Sequence, residues 1–188
     1  MDSEDKQCLM EIAQGNQDAL NRLYFCYYQR LYRYLWYQLH GDGLLVEEAL
    51  QDTFLSVWRA ANTFRGEARV VTWLFRIAQR CASHVQRPRS RYNEVHSLSL
   101  QTIAESYDTP FSQHEDRTLT RLSLQSALTH LSSKHREVVL LIFVHGFTSE
   151  EAANILGVPA GTVRSRLRAA RVLLINDPTL QQSEGASS

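Results

Sequence analysis

Apolar residues along this chain recur every three to four positions and almost never alternate, so the pattern predicts helices and no strand. Over 18–39, Leu20, Leu23, Tyr24, Tyr27, Leu31, Tyr34 and Leu35 form one stripe, which Gly41-Asp42-Gly43 interrupts. A second helix is expected over 45–60, with Val46, Ala49, Leu50, Thr53, Phe54, Val57 and Trp58 turned inward. After a loop at 62–69 a third helix should run from about 70 to 86, with Pro88 as its stop. From 88 to 116 the period disappears, and Pro88, Ser90, Ser97, Ser99, Thr102, Ser106, Thr109, Pro110 and Ser112 mark a linker. Helical spacing resumes over 115–130 and 133–144. The expected fold is all-α, with two small helical domains (1–87 and 117–176) joined by a flexible linker (88–116) and followed by a polar tail (177–188).

The second domain ends in the most specific local pattern of the chain. Thr148 and Glu151 have the spacing of a capping box, and Ala152, Ile155 and Leu156 make the buried stripe of a two-turn helix. Gly157 suits the left-handed residue that closes such a helix, and Pro159 fixes φ where the next one begins. In that next helix Val163, Leu167, Ala170 and Leu174 share a face, with Arg164, Arg168 and Arg171 on one flank and Arg166 on the other. Two helices joined by a glycine-containing turn, the second one basic, form a helix-turn-helix suited to the major groove of duplex DNA. An ordinary solvated face mixes charge signs, whereas no acidic residue occurs between 157 and 176.

Net charge is zero over 188 residues, so the total says nothing about nucleic acid. Its distribution says more. Residues 1–60 hold five Lys/Arg against nine Asp/Glu, residues 61–95 seven against two, and residues 132–176 six against three. An acidic front with two basic blocks suggests two kinds of partner. Cys8, Cys26 and Cys81 have no CxxC or CxxH spacing, so neither a disulfide framework nor a zinc site is expected. His130 and His135 read as surface or capping residues rather than metal ligands. No apolar run approaches the ~18 residues that span a bilayer, and the acidic start is unlike a signal peptide, so a cytoplasmic protein without membrane insertion is expected.

Two further surfaces stand out. The loop at 64–69 and the helix after it carry Phe64, Arg65, Arg69, Thr72, Trp73, Phe75, Arg76 and Arg80. Arginines interleaved with rings suit single-stranded nucleic acid, since bases stack on rings while guanidinium groups follow phosphates. Part of that set, with Leu74 and Ile77, must also serve as core. Glu47, Glu48, Gln51 and Asp52 lie opposite the apolar stripe of the preceding helix and make an acidic face.

Leu50-Gln51-Asp52-Thr53-Phe54 resembles the L/V-Q-E-T-F motif in region 2 of sigma-70-family transcription initiation factors. Phe64-Arg65-Gly66-Glu67, with the run from Thr72 to Ala78, resembles the promoter-melting segment that follows. The run from Leu131 to Val139 and that from Gly161 to Leu167 resemble region 4. Two domains and a linker are the pattern of the extracytoplasmic-function group, and the resemblance covers about residues 16–175 in order.

That resemblance implies core RNA polymerase as a partner. Glu47, Glu48, Gln51 and Asp52 match the positions that dock on the clamp helices of its largest subunit. Phe64, Arg65, Arg69, Thr72, Trp73, Arg76 and Arg80 match the part that opens the minus-ten element and captures an unstacked base, whose extrusion costs a few kcal/mol. Arg164, Ser165 and Arg166, with Thr162, Arg168 and Arg171 beside them, match the helix that reads the minus-35 element, where arginine suits guanine or phosphate. Thr148 and Ser149 would anchor a phosphate. Promoter DNA, duplex and melted, and an anti-sigma factor are the other implied partners; no catalysis, cofactor or metal is implied. Val70 and Val71 stand where the family often has basic or aromatic residues, Arg80 lies near a usual asparagine, Ala169 replaces a common arginine, and Ser132-Ser133 a frequent proline pair.

The linker can meet that role. Its 28 residues from 89 to 116 reach about 95 Å extended and average about 30 Å as a coil, against about 55 Å of duplex between the two elements. Three rivals remain at this level: a repressor or activator that binds duplex alone, a serine recombinase, and a protein that sequesters polymerase without DNA. The first leaves the front domain without a role, the second needs strands in it, and the third leaves the basic helix unused.

Overall fold

Asn16 sets where the first aromatic-rich helix begins. In the computed structural model, which describes residues 2–90 and 127–176, its Oδ1 accepts from the backbone N–H groups of Asp18 and Ala19 at 3.0 and 3.2 Å. These are donors that a helix cannot satisfy internally. Helix α1 (Asp2–Ala13) precedes this cap and α2 (Gln17–Gln38) follows it. The chain then reverses through His40 (φ 59°) and Gly41 (φ 77°), where the Gly41 N–H donates to the Trp36 carbonyl at 2.8 Å. Asp42 caps α3 (Gly43–Ala60) by accepting from Leu45 N at 3.2 Å, and a short 3-10 turn, Ala61–Thr63, ends it. Helix α4 (Val70–Ser90) completes the front block.

The rear block begins with a helical turn at 127–129, then α5 (Ser133–Val139) and one wider, π-type turn, Leu140–Val144. Helices α6 (Ser149–Leu156) and α7 (Ala160–Ile175) follow. Among the described residues every regular element is helical. The helix expected over 115–130 and the linker lie mostly outside the described residues, and the tail at 177–188 lies wholly outside them.

Helices α2 and α3 bury the stripes their spacing predicts, with Leu23, Tyr27, Leu31, Tyr34 and Leu35 against Val46, Ala49, Leu50, Phe54 and Val57. Removing such side chains from water is the main favourable term in folding, roughly 1.5–3 kcal/mol for each large one. Two elements depart from expectation. Helix α1 was not foreseen, because only Leu9 and Ile12 of its twelve residues are buried and its stripe is thin. Helix α4 continues past Pro88 to Ser90; a proline deletes one main-chain donor, while the helix is held by packing as far as Val85.

The two blocks touch. Leu128, Leu131, Val138 to Leu141, Phe147, Ile155 and Val163 join the front residues in one buried cluster. Phe75 of α4, wholly buried, meets Phe147 edge-on at a centroid distance of 4.9 Å. Gln38 donates to Glu137 at 3.1 Å, and Arg136 lies 2.6 Å from His40 Nε2 while donating to the Leu128 and Leu131 carbonyls, both at 2.9 Å.

Candidate nucleic-acid interface

The helix-turn-helix is built as the spacing predicts. The Thr148 hydroxyl accepts from Glu151 N at 3.2 Å, and Glu151 Oε2 accepts from Thr148 N at 2.9 Å, so two orphan donors are satisfied reciprocally. Gly157 closes α6 at φ 65°, a region that costs a side chain about 1 kcal/mol or more, and Val158 N–H donates to the Ala153 carbonyl at 3.1 Å. Pro159, at φ −60°, starts α7 by offering its carbonyl to Thr162 and Val163 N–H. Val163 and Ala170 are buried, and Leu167 and Leu174 pack against the same core.

Burying that face leaves Arg164, Arg168 and Arg171 exposed together on one flank. Arg166 is half-buried on the other, where its charge acts on Glu137. Burial pushes the Glu137 carboxyl up despite opposing help from Gln79, Arg166, Gln38 and Arg136. Arg164 makes a long ion pair with Glu150 (3.4 Å), both well exposed, so it is worth little and does not withhold the guanidinium from a ligand. The Ser165 hydroxyl donates to the Thr162 carbonyl at 3.0 Å. Ser149 and Thr162 are half-buried and Thr148 exposed.

The arginine–aromatic site sits at the start of α4. Phe64 and Trp73, both half-buried, meet edge-to-face at 5.5 Å, and Gly66 turns the loop at φ 72°. Arg65, Arg76 and Arg80 are exposed. Arg69 is exposed too but pairs with Glu151 at 3.0 Å, so one carboxylate serves both the capping box and this arginine. Thr72 is 2% exposed and its hydroxyl has no partner among the described residues. At about 100° per residue it falls between the solvent flank of Arg76 and the packed flank of Phe75.

One residue at this site was missed in the sequence. Asp2 Oδ1 accepts from Val70 N at 3.2 Å, so α1 caps the helix that carries the arginines. The Lys6 ammonium, 3.0 Å away, and then the Val70 amide hold the Asp2 carboxyl below its usual range. No local signal marks a cap supplied from 68 residues away.

On α3, Glu47, Glu48 and Gln51 are exposed and Asp52 half-buried. Leu44 and Leu55, 69% and 51% exposed, extend the same flank, so the acidic face carries apolar residues at its ends. Behind it lies Cys81, whose thiol is pushed up by burial although Thr53 and Ser56 bond to it. Among the described residues no group of three His, Cys, Asp or Glu side chains could hold a metal ion, and no helix is long and apolar enough to cross a membrane.

A basic helix-turn-helix packed on a second helical block is the architecture of a helical DNA-binding protein. Residues 23–92 match the family model of sigma-70 region 2, and residues 121–174 that of sigma-70, region 4. The chain is 32% identical over 154 residues to the ECF RNA polymerase sigma factor SigL of Mycobacterium tuberculosis, covering 81% of this chain and 83% of that one. It is 28% identical over 170 residues to the RNA polymerase sigma factor YlaC of Bacillus subtilis, covering 90% and 97%. Its fold is similar to that of CnrH in complex with the cytosolic domain of CnrY (TM-score 0.67, 24% identity, 98% of this chain and 99% of that one). It is also similar to that of RpoE in complex with the anti-sigma factor NepR from Bartonella quintana (TM-score 0.64, 22% identity, 89% and 98%). The chain belongs to the sigma-70 family, in its extracytoplasmic-function group. It is an RNA polymerase sigma factor, a DNA-binding protein of transcription initiation.

Proposed function

We propose that the protein works in the cytoplasm, docks on the clamp helices of core polymerase through Glu47, Glu48, Gln51 and Asp52, and reads a promoter at two elements. The acidic face with Leu44 and Leu55 at its ends supports the first part, since charge orients the approach of a basic surface and apolar residues supply the burial. Arg164, Arg168 and Arg171, presented together on α7, support major-groove reading of the upstream element, with Arg166, Thr162 and Ser165 beside them and Thr148 and Ser149 toward the phosphates. Phe64, Trp73, Arg65, Arg69, Arg76 and Arg80 support capture of an unstacked base at the downstream element, with Thr72 behind them. The protein performs no catalysis and needs no cofactor in this reading. An anti-sigma factor is its regulatory partner.

The observation that carries the proposal is the exposed arginine flank of α7, held in place by a capped and turn-closed α6. Run-off transcription with core enzyme tests it. A promoter-specific transcript that requires the protein is expected, and its absence from every genomic template would sink the reading.

A further inference from the structure

Helix α4 begins without a cap of its own. Trp73 N–H donates to the Arg69 carbonyl at 3.1 Å, so Arg69 holds the capping position. Neither Arg69 nor Ala68 before it has a side-chain acceptor. The Val70 amide is left to a distant partner, and Val70 is wholly buried, so water is a poor replacement. Asp2 Oδ1 fills the place at 3.2 Å. Its other oxygen meets the Lys6 ammonium at 3.0 Å, one turn along α1, so the carboxylate is held from two sides. Helix α1 is itself pinned to α2. Tyr27 Oη donates to Asp5 Oδ2 at 2.6 Å, Arg22 pairs with Glu11, and Leu9 and Ile12 are buried. The helix is thus a strut from α2 to the start of α4. That start is where the two halves of the ring pair part. Phe64 lies before Val70, on the loop that Gly66 turns, and Trp73 lies one turn after it, on the helix; the rings meet at 5.5 Å. A contact between a loop and a helix keeps its geometry only while the junction between them is fixed, and Val70 is that junction.

We infer that Asp2 is a positioning residue for strand opening: by capping α4 at Val70 it fixes the loop–helix junction, and so holds Phe64 and Trp73 in the arrangement that receives an unstacked base. This rests on the assignment of base capture to that surface, proposed above. Asp2 acts through the Val70 amide and does not itself meet the base. Its negative charge also suits the positive end of the α4 dipole. Placement matters here because a site left about 1 Å too loose loses much of its action.

Asp2→Ala and Asp2→Asn in the full-length protein test this role, because asparagine keeps an oxygen that can accept from Val70. Hydrogen exchange of the free protein, followed by mass spectrometry, reads the junction without reference to transcription. Asp2→Ala should exchange about fivefold faster across residues 64–73, the scale of one lost cap, with 160–175 unchanged. Asp2→Asn should exchange like the wild type. Promoter opening is then read with core polymerase, on a promoter that the wild type transcribes, as permanganate reactivity of unpaired thymines. It should fall about fivefold in Asp2→Ala and recover in Asp2→Asn, with affinity for core polymerase unchanged. Equal exchange in all three proteins would overturn the inference, as would an Asp2→Ala variant that opens the promoter as well as the wild type does. Better opening would overturn it too, since the carboxylate would then be occupying the place of a DNA phosphate. Loss of helix throughout Asp2→Ala, read by circular dichroism, would make Asp2 a residue of general stability and would equally refute the role. Arg76→Ala, an exposed change on the same surface, keeps a failure of the site distinct. Opening lost in Arg76→Ala but intact in Asp2→Ala refutes the positioning role and leaves the site standing; opening intact in both refutes the site and the role together.

Discussion

At the residue scale, His145 is the side chain most at odds with its surroundings. It is buried between Tyr34, at 5.7 Å, and Phe75, with neither ring nitrogen hydrogen-bonded among the described residues. Burial, then the Arg33 and Arg30 charges, pushes its pKa down to about 3. The ring therefore stays neutral in the packed state and takes up a proton only once released, near pH 6.5. Its contribution to stability is complete above about pH 6.5 and falls as the pH drops toward 3, by about 1.4 kcal/mol per unit. His40, lowered by burial and by Arg136, acts in the same sense, and the raised Glu137 carboxyl in the opposite one. Thermal unfolding should thus show the midpoint falling between pH 7 and 5, and His145→Phe, which keeps an aromatic ring there, should remove most of that fall. An unchanged pH dependence in the variant would count against this account. The sequence shows His145 but not this environment, which Tyr34, 111 positions away, and Phe75 supply.

At the scale of elements, the helix-turn-helix was legible to single residues because its signals are local. Thr148, Glu151, Gly157 and Pro159 each act on a backbone group within a few positions. Losing the Thr148 hydroxyl leaves Glu151 N without its acceptor, so Thr148→Ala should cost about 1 kcal/mol, read as a lower denaturant midpoint with unchanged slope. A variant as stable as the wild type would mean that the cap contributes nothing measurable. Elements defined by distant partners were less legible. Helix α1 has two buried residues and earns its place by capping α4 through Asp2. The π-type turn was read as plain helix, since apolar spacing over 133–144 does not distinguish the two.

For the whole molecule, the proposed division of labour separates two losses. Arg164→Ala should weaken binding to a duplex carrying the upstream element by about ten- to a hundredfold, the scale of one arginine–guanine contact, and leave affinity for core polymerase unchanged. Reversing Glu48 and Asp52 to lysine should do the opposite. Filter binding and polymerase pull-down distinguish the outcomes, and equal loss of both activities in either variant would indicate unfolding instead. Periodicity and local spacing were enough for the all-helical class, the helix-turn-helix and the flank its arginines occupy, because local hydrogen bonds and a 3.6-residue period decide those; the sigma-70 family was legible only through resemblance to its motifs. Only the tertiary structure decided that Phe75 faces the rear block, that Thr72 is buried, and that the exposed Arg69 pairs with Glu151. A one-dimensional pattern states that a face must leave water; which surface covers it depends on where the chain returns in space.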